Sequence, residues 1–259
     1  IIASQVWFTL TYNHSLKDAD RTYLISPNFG GEKGDMKWSS NSPGDLAYVA
    51  AEQFPDAEEV ASYAPYSAIN RIWVKKSEYN FESFNDQIFY ATPNLPSFFG
   101  FECLAGDFNE LKIPNTVIMS RSEAEKLGLG VGDVIYLEGG RMFDDGKPTV
   151  QNTIVAIYED MPKNSIFGHW SIVQGDEQVH TSGTNNWNYT NFVRMREGAD
   201  LNTYIEIFKK GYADWFLGMA EEWIAGDPEE EELLKEEIEN GAHILATRLV
   251  PVDDMYYTE

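Results

Sequence analysis

The segment Thr116-Val-Ile-Met-Ser-Arg-Ser-Glu-Ala-Glu-Lys-Leu-Gly128 changes from a strand pattern to a helix pattern. Its first four residues form a short apolar run, which is typical of a buried strand. Ser120 and Glu123 have the spacing of a capping box, in which each side chain satisfies a free backbone N–H at a helix start. Gly128 is a common helix terminator. The segment therefore predicts a buried strand that leads directly into a short helix.

The residues after this segment predict further strands around a tight turn. Residues 134–137 and 153–158 are rich in apolar and β-branched side chains, and they flank the turn-forming sequence Asp144-Asp-Gly-Lys-Pro148. The interval 113–189 is therefore predicted to form a small β-rich subdomain.

Both ends of the chain combine strand and helix patterns. Ser42-Pro-Gly-Asp45 places an N-cap hydroxyl before a proline, which predicts a helix start. A second helix is predicted after Asp200, because the apolar residues of 201–216 recur on one face. We expect an α+β fold without a long linker. Its porter-like subdomain would comprise residues 1–112 and 190–259, with residues 113–189 inserted.

The chain is strongly acidic and carries no long apolar run. With 42 acidic residues against 19 lysines and arginines, its net charge of −23 repels nucleic acids and anionic headgroups. No segment reaches the roughly 18 apolar residues of a membrane helix. Ile1 and Ile2 stand at the start in place of Met. Two interpretations stay open: the natural chain continues upstream, or a signal peptide has been removed.

Sequence patterns for catalysis, metal binding or cofactor binding are absent. The histidines lack the short spacings of metal ligands; they are His14, His169, His180 and His243. The glycines of residues 128–132 follow a helix and precede no Lys-Ser or Lys-Thr pair, unlike those of a phosphate-binding loop. We therefore predict a non-enzymatic protein with no catalytic residue, metal or cofactor.

Cys103 is the single cysteine of the chain, and it cannot form an intrachain disulfide. Its neighbours, Phe99-Gly-Phe-Glu-Cys-Leu104, are largely apolar. This context predicts a small side chain buried in the core.

A cluster of aromatic residues among asparagines is a candidate partner-binding surface. Trp187, Tyr189 and Phe192 resemble a surface that stacks on sugar rings or docks a peptide. The alternative, a loop at the edge of the core, is the more common arrangement for such a sequence.

Six segments, taken in order, resemble the MacB-like periplasmic core domain of FtsX-like ABC-transporter permeases, particularly those of Bacteroides-type bacteria. The segments are residues 12–25, 54–63, 92–108, 115–128, 154–167 and 248–257. The most recognisable is Ile154-Val-Ala-Ile-Tyr-Glu-Asp-Met-Pro-Lys-Asn-Ser-Ile-Phe167, a strand leading into Asp-x-Pro-x-x-Ser. Three positions depart from the family pattern. Asn13 stands where Asp is usual, Ala156 where Gly is common, and Leu127 where Phe usually precedes Gly.

The resemblance implies an extracytoplasmic domain of an inner-membrane permease. It implies a separate cytoplasmic ATPase as partner, reached through membrane helices, and a permease homodimer that handles an exported molecule or an envelope protein. It also implies mechanotransmission in place of catalysis. The membrane-proximal ends would be Ile1, Ile2, Tyr256 and Tyr257.

A different class of function also fits part of the sequence. Seven tryptophans and an acidic composition are compatible with a secreted glycan-binding or glycan-active envelope protein. A glycosidase of this kind would need a cleft in which two carboxylates face each other about 5 to 9 Å apart.

Overall fold

The computed structural model describes residues 2–28, 38–65, 71–86, 88–137, 143–144, 147–148, 151–175, 188–223, 232–233 and 246–257. Its helices are α1 (Ile2–Leu10), α2 (Gly44–Gln53), α3 (Leu95–Phe99), α4 (Arg121–Leu127) and α5 (Leu201–Trp223). Short 3-10 helices span Ala19–Arg21, Phe108–Lys112 and Val252–Tyr257. The first eight strands are β1 (Thr22–Pro27), β2 (Ala57–Pro65), β3 (Arg71–Ser77), β4 (Asn80–Asn85), β5 (Ile88–Ala91), β6 (Cys103–Gly106), β7 (Thr116–Ser120) and β8 (Val134–Leu137). The others are β9 (Phe143–Asp144), β10 (Lys147–Pro148), β11 (Gln151–Tyr158), β12 (Ile172–Gly175), β13 (Thr190–Met195) and β14 (Thr247–Pro251). This mixture confirms the predicted α+β class.

The chain divides into two compact units. The first unit comprises Ile1–Lys17 and Ala61–Gln178, and the second comprises Asp18–Val60 and Val179–Glu259. This division differs from the boundaries predicted near residues 113 and 190, because residues 61–112, together with residues 1–17, fall in one unit with the middle of the chain. The reason is long-range strand pairing, since β3 pairs with β8, β5 with β12, and β6 with β11.

The first unit is built on a mixed sheet. Its strands lie in the order β2-β5-β12-β7-β11-β8-β3-β4, and β6 pairs additionally with β11. The pairs β5–β12 and β7–β11 are parallel. Because parallel strands cannot be joined by a tight turn, the chain between the two strands of each pair must cross over outside the sheet. The core of this unit consists of aliphatic side chains from the sheet and α4, including Ile72, Val117, Ala124, Ile154 and Ile172.

The predicted strand and helix around the capping box are confirmed. Strand β7 is buried along its whole length, and Ser120 Oγ accepts a hydrogen bond from the Glu123 backbone N–H at 3.4 Å. Gly128 ends α4 in a left-handed conformation with φ of 68°. The Glu123 half of the capping box does not form, because the Ser120 N–H donates to the Ser171 carbonyl at 2.8 Å and the Glu123 carboxylate accepts from Lys126. The local sequence therefore specified the strand, the Ser120 cap and the end of the helix, but not the reciprocal bond.

The second unit places helices α2 and α5 in one apolar core with a small antiparallel sheet. The strand order is β14-β1-β13, and buried side chains from both helices and the sheet include Ile25, Leu46, Val193 and Phe208. The hydroxyl of the buried Tyr204 donates to the carbonyl of Ala47 at 2.9 Å, which ties α5 to α2.

The start of α2 differs from the prediction. The helix begins at Gly44 with Pro43 at the N-cap, and no side chain caps it. Ser42 Oγ accepts a hydrogen bond from Asn191 Nδ2 at 2.7 Å. A long-range partner has therefore taken the hydroxyl that the local pattern assigned to the cap.

Candidate functional site

The described part of the chain holds no group of three or more His, Cys, Asp or Glu side chains that could bind a metal ion. His14 and His169 are exposed, and His180 and His243 lie outside the described residues. The geometry therefore offers no metal centre among these residues.

Cys103 is exposed, which corrects the prediction of a core cysteine. The aromatic residue before it, Phe101, fills the core and is 6% exposed, whereas all four residues of β6 face outward. The other end of β6 is held close to β11 at Gly106, where an added Cβ would lie 2.0 Å from the carbonyl oxygen of Val155. Only glycine fits there.

The aromatic cluster predicted as a partner surface is largely internal in the described residues. Tyr189 and Phe192 are 5% and 0% exposed, so neither side chain is available to a partner. Asn191, between them, donates from its amide to Ser42 and to the Pro43 carbonyl. Trp187 lies outside the described residues, so its binding role stays a prediction.

Two carboxyl groups lie together, but they are enclosed. The side chains of Asp86 and Glu123 are 10% and 7% exposed, and Lys126 forms ion pairs with both, at 3.5 Å and 2.9 Å. Ser171 donates to Asp86. Burial, followed by the hydrogen bond with Asp86, raises the pKa of Glu123 to about 7. Because this pair is enclosed and paired, it does not form the open cleft that a glycosidase needs.

A surface cleft of about 480 Å³ lies between α3 and the 3-10 helix Phe108–Lys112. Its lining includes Asn94, Ser97, Cys103 and Asp107, and among the described residues Asp107 is the single carboxylate there. The Asp107 side chain already caps that 3-10 helix by accepting from the Asn109 N–H. The cleft therefore lacks the carboxylate pair of a glycosidase.

The N-terminal helix presents the most exposed apolar surface near a predicted membrane-proximal end. Val6, Trp7 and Leu10 are 51%, 63% and 59% exposed, and together they define the α1 face. Residues 1–16 contain no Asp, Glu, Lys or Arg. An uncharged helix with exposed apolar side chains is suited to an apolar environment, so the α1 face is the candidate functional site.

The structure places the other predicted end residues as follows. Ile1 lies outside the described residues, and Ile2 is the first residue of α1. Tyr256 is 44% exposed, and Tyr257 is the last residue of the C-terminal 3-10 helix. No helix in the described ranges is long and apolar enough to cross a membrane.

The loop of residues 159–167 contains the Asp-x-Pro-x-x-Ser sequence. It caps helix α4, which lies more than 30 residues earlier in the chain. Asp160 Oδ1 accepts from the backbone N–H and the hydroxyl of Ser122, at 3.1 and 2.8 Å. Arg121 forms ion pairs with Glu159 and Asp160. The sequence showed the motif, but the partner of Asp160 could be found only in the folded chain.

A family model and several solved structures are similar to this chain. The family model of the MacB-like periplasmic core domain matches residues 3–210. A structure of a domain of a protein named as a permease, from Porphyromonas gingivalis, is 19% identical with a TM-score of 0.61, over 91% of this chain and 92% of that one. The periplasmic region of MacB from Actinobacillus actinomycetemcomitans is 9% identical with a TM-score of 0.51, over 95% and 94% of the two chains. Among curated proteins, none matches this sequence.

Proposed function

Because the chain belongs to the MacB-like periplasmic core domain family, we propose that it couples ATP-driven movement of membrane helices to the handling of an exported molecule or envelope partner. The ATP would be hydrolysed by a separate cytoplasmic subunit, and this domain would act without chemistry of its own. In the assembled transporter two copies of the permease would work as a pair.

The α1 face is the observation that carries this proposal. Val6, Trp7 and Leu10 expose apolar surface to one side of a helix, in a chain whose net charge is −23. In water this exposure is unfavourable by about 25 cal/mol for each Å² of apolar surface. An apolar neighbour, such as a membrane or a membrane helix, would remove that cost. The face therefore supports a membrane-proximal position for Ile1 and Ile2.

The exposed thiol of Cys103 allows a direct test of location. In intact cells expressing the full-length permease, a membrane-impermeant maleimide should label Cys103, because the domain would lie outside the inner membrane. Cys103→Ser is the control for specificity. Labelling that occurs only after the inner membrane is lysed would contradict the proposed location.

A charge on the α1 face tests the coupling role. In the full-length permease with its ATPase, Trp7→Asp should lower ATP-dependent export, because the buried carboxylate must be desolvated wherever the helix meets an apolar neighbour. The matched control is Tyr79→Asp, which places the same charge at an aromatic position that is 76% exposed on the turn between β3 and β4. Equal export by the two variants would count against the proposal.

A further inference from the structure

The turn that follows helix α1 is joined to the loop of residues 159–167 by reciprocal hydrogen bonds. The Asn13 N–H donates to the carbonyl of Asn164, and the Ile166 N–H donates to Asn13 Oδ1, both at 2.8 Å. In return, Asn164 Nδ2 donates to the carbonyl and the hydroxyl of Thr11, at 3.0 and 2.8 Å. Each asparagine thus binds the backbone of the other segment.

Asn13 is suited to this position in two ways. It is completely buried, and its φ of 61° is a left-handed conformation that Asn and Asp adopt more readily than most residues. Its Oδ1 atom acts as the acceptor, a task that an Asp carboxylate would also perform. The Asn that stands where the family usually has Asp therefore preserves the geometry.

Helix α1 is attached to its unit mainly beyond its own C-terminus. Among its described side chains, residues 4–10, none is buried. The residues that follow are held on both sides. Asn13 is bound to the loop, Leu16 is 4% exposed, and the Lys17 N–H donates to the carbonyl of Phe99 at 3.1 Å. The direction of the helix is thus set by this turn more than by packing along the helix.

The loop that receives the turn is itself fixed to the same unit. At its start, Asp160 binds Ser122 at the beginning of α4. At its end, Phe167 is fully buried, with its ring 4.7 Å from the rings of Phe99 and Trp170. A force applied at the turn would therefore reach α4 and the buried aromatic cluster of Phe99, Phe167 and Trp170.

We propose that the Asn13–Asn164 pair is the joint that fixes the direction of helix α1 and passes its displacement to loop 159–167. The transmission of displacement rests on the proposed function, because that function supplies the movement of the helix. The rigidity of the joint is a property of the first unit alone and can be measured on this chain.

The experiment measures the spread of helix directions. Spin labels are attached to Val6→Cys on α1 and Glu125→Cys on α4 in a Cys103→Ser background, and the label–label distance distribution is recorded. The parent and Asn13→Asp should give a narrow distribution. Asn164→Ala and Asn13→Gly should give a broad distribution. The glycine in Asn13→Gly keeps the left-handed backbone but removes the Oδ1 acceptor.

Hydrogen exchange gives a second readout on the same variants. Asn164→Ala removes both side-chain hydrogen bonds to Thr11. The amides of Asn13 and Ile166 should then exchange at least about two- to tenfold faster, the factor that corresponds to a single hydrogen bond, because the joint opens more often. Asn202→Ala, at an exposed position of α5, is the matched control and should change neither measurement.

Two results would overturn the joint: a broad distribution in the parent, or a distribution in Asn164→Ala and Asn13→Gly as narrow as in Asn202→Ala. Failure of the proposed function can be told apart from failure of the joint, because the two are measured separately. Normal export by Trp7→Asp in the full transporter would contradict the proposed function. The label distances in this chain test the joint alone.

Discussion

Glu123 lies beside Asp86 inside the first unit, and its pKa is raised there. Its pKa of about 7 lies above the ordinary value of 4.5, chiefly because of burial. Between these two pH values the folded state retains a proton that the unfolded state has lost. The contribution of Glu123 to stability is therefore complete below pH 4.5 and is lost as the pH rises toward 7.

We expect Glu123→Gln to flatten this pH dependence. The parent should lose on the order of 2 kcal/mol of unfolding free energy between pH 4.5 and 7 from this group, and the glutamine variant should not. The measurement is urea unfolding across this pH range. Glu125→Gln, on the exposed side of the same helix, is the control. The prediction would be wrong if the unfolding free energy of the parent changed no more between pH 4.5 and 7 than that of Glu123→Gln.

The thiol of Cys103 is exposed, but its pKa is higher than that of a free thiol. Desolvation first, and the charge of Asp107 to a smaller extent, raise the pKa of the thiol, while a backbone hydrogen bond with Ala105 lowers it. Because the thiolate is the reactive form, a raised pKa slows reaction near neutral pH.

We therefore expect Cys103 to react with a thiol reagent in the folded protein, more slowly than a small free thiol. Asp107→Asn should accelerate the reaction by less than about threefold, since its charge is a secondary cause. The rate is measured at constant pH, with the unfolded chain as reference. A thiol that reacts only after unfolding would restore the original prediction of a core cysteine.

At the scale of elements, α4 depends on caps from two places in the chain. Ser120 is its local N-cap, and Asp160 binds the backbone and side chain of Ser122 from the far end of β11. A short helix has little stability of its own, so these contacts hold it on the sheet.

Asp160→Ala should lower the unfolding free energy by about 1 to 2 kcal/mol, because it leaves the start of α4 with fewer acceptors. The loss is measured by denaturant unfolding. Glu125→Ala, which leaves both caps intact, should change stability by much less. Similar losses in the two variants would show that the distant cap contributes nothing.

An ion-pair cluster connects elements of the second unit. The side chain of Arg194 on β13 is 4% exposed and lies 3.4 Å from Asp18 and 3.2 Å from Glu59, in the first part of β2, which belongs to this unit. Arg21, in the segment that resembles the family's Asp-Arg-x-Tyr sequence, bonds to Glu58 and to the Met195 carbonyl. The motif thus has a structural role, which is to fix the chain where it enters β1.

At the scale of the whole molecule, each unit has its own hydrophobic core. The core of the first unit includes Ile154 and Ile172, and the core of the second includes Phe208. Loss of a core side chain acts first on the elements that pack around it.

Ile154→Ala should cost about 2 to 5 kcal/mol and should accelerate amide exchange in β7, β11 and β12. Exchange in β1 and β13 should change less, because those strands pack in the other core. Hydrogen exchange with mass spectrometry resolves the two sets. Equal acceleration in both units would show that they unfold as a single cooperative body.

The short-range features of this protein could be predicted from its amino-acid sequence. The apolar run before Ser120, the Ser120 cap and Gly128 specified β7 and α4, because such signals act between residues a few positions apart. The amphipathic pattern after Asp200 specified α5 in the same way. Six ordered segments were sufficient to indicate the family.

Tertiary structure decided where side chains meet across long stretches of chain. Pairing of β6 with β11 exposed Cys103, and Asn191 took the hydroxyl of Ser42 that was expected to cap α2. The same is true of the Asp86–Glu123 pair and of the joint between Asn13 and Asn164. Local periodicity records which face of an element is apolar, but it holds no information about the partner that this face or side chain will meet, because that depends on the packing of the whole unit.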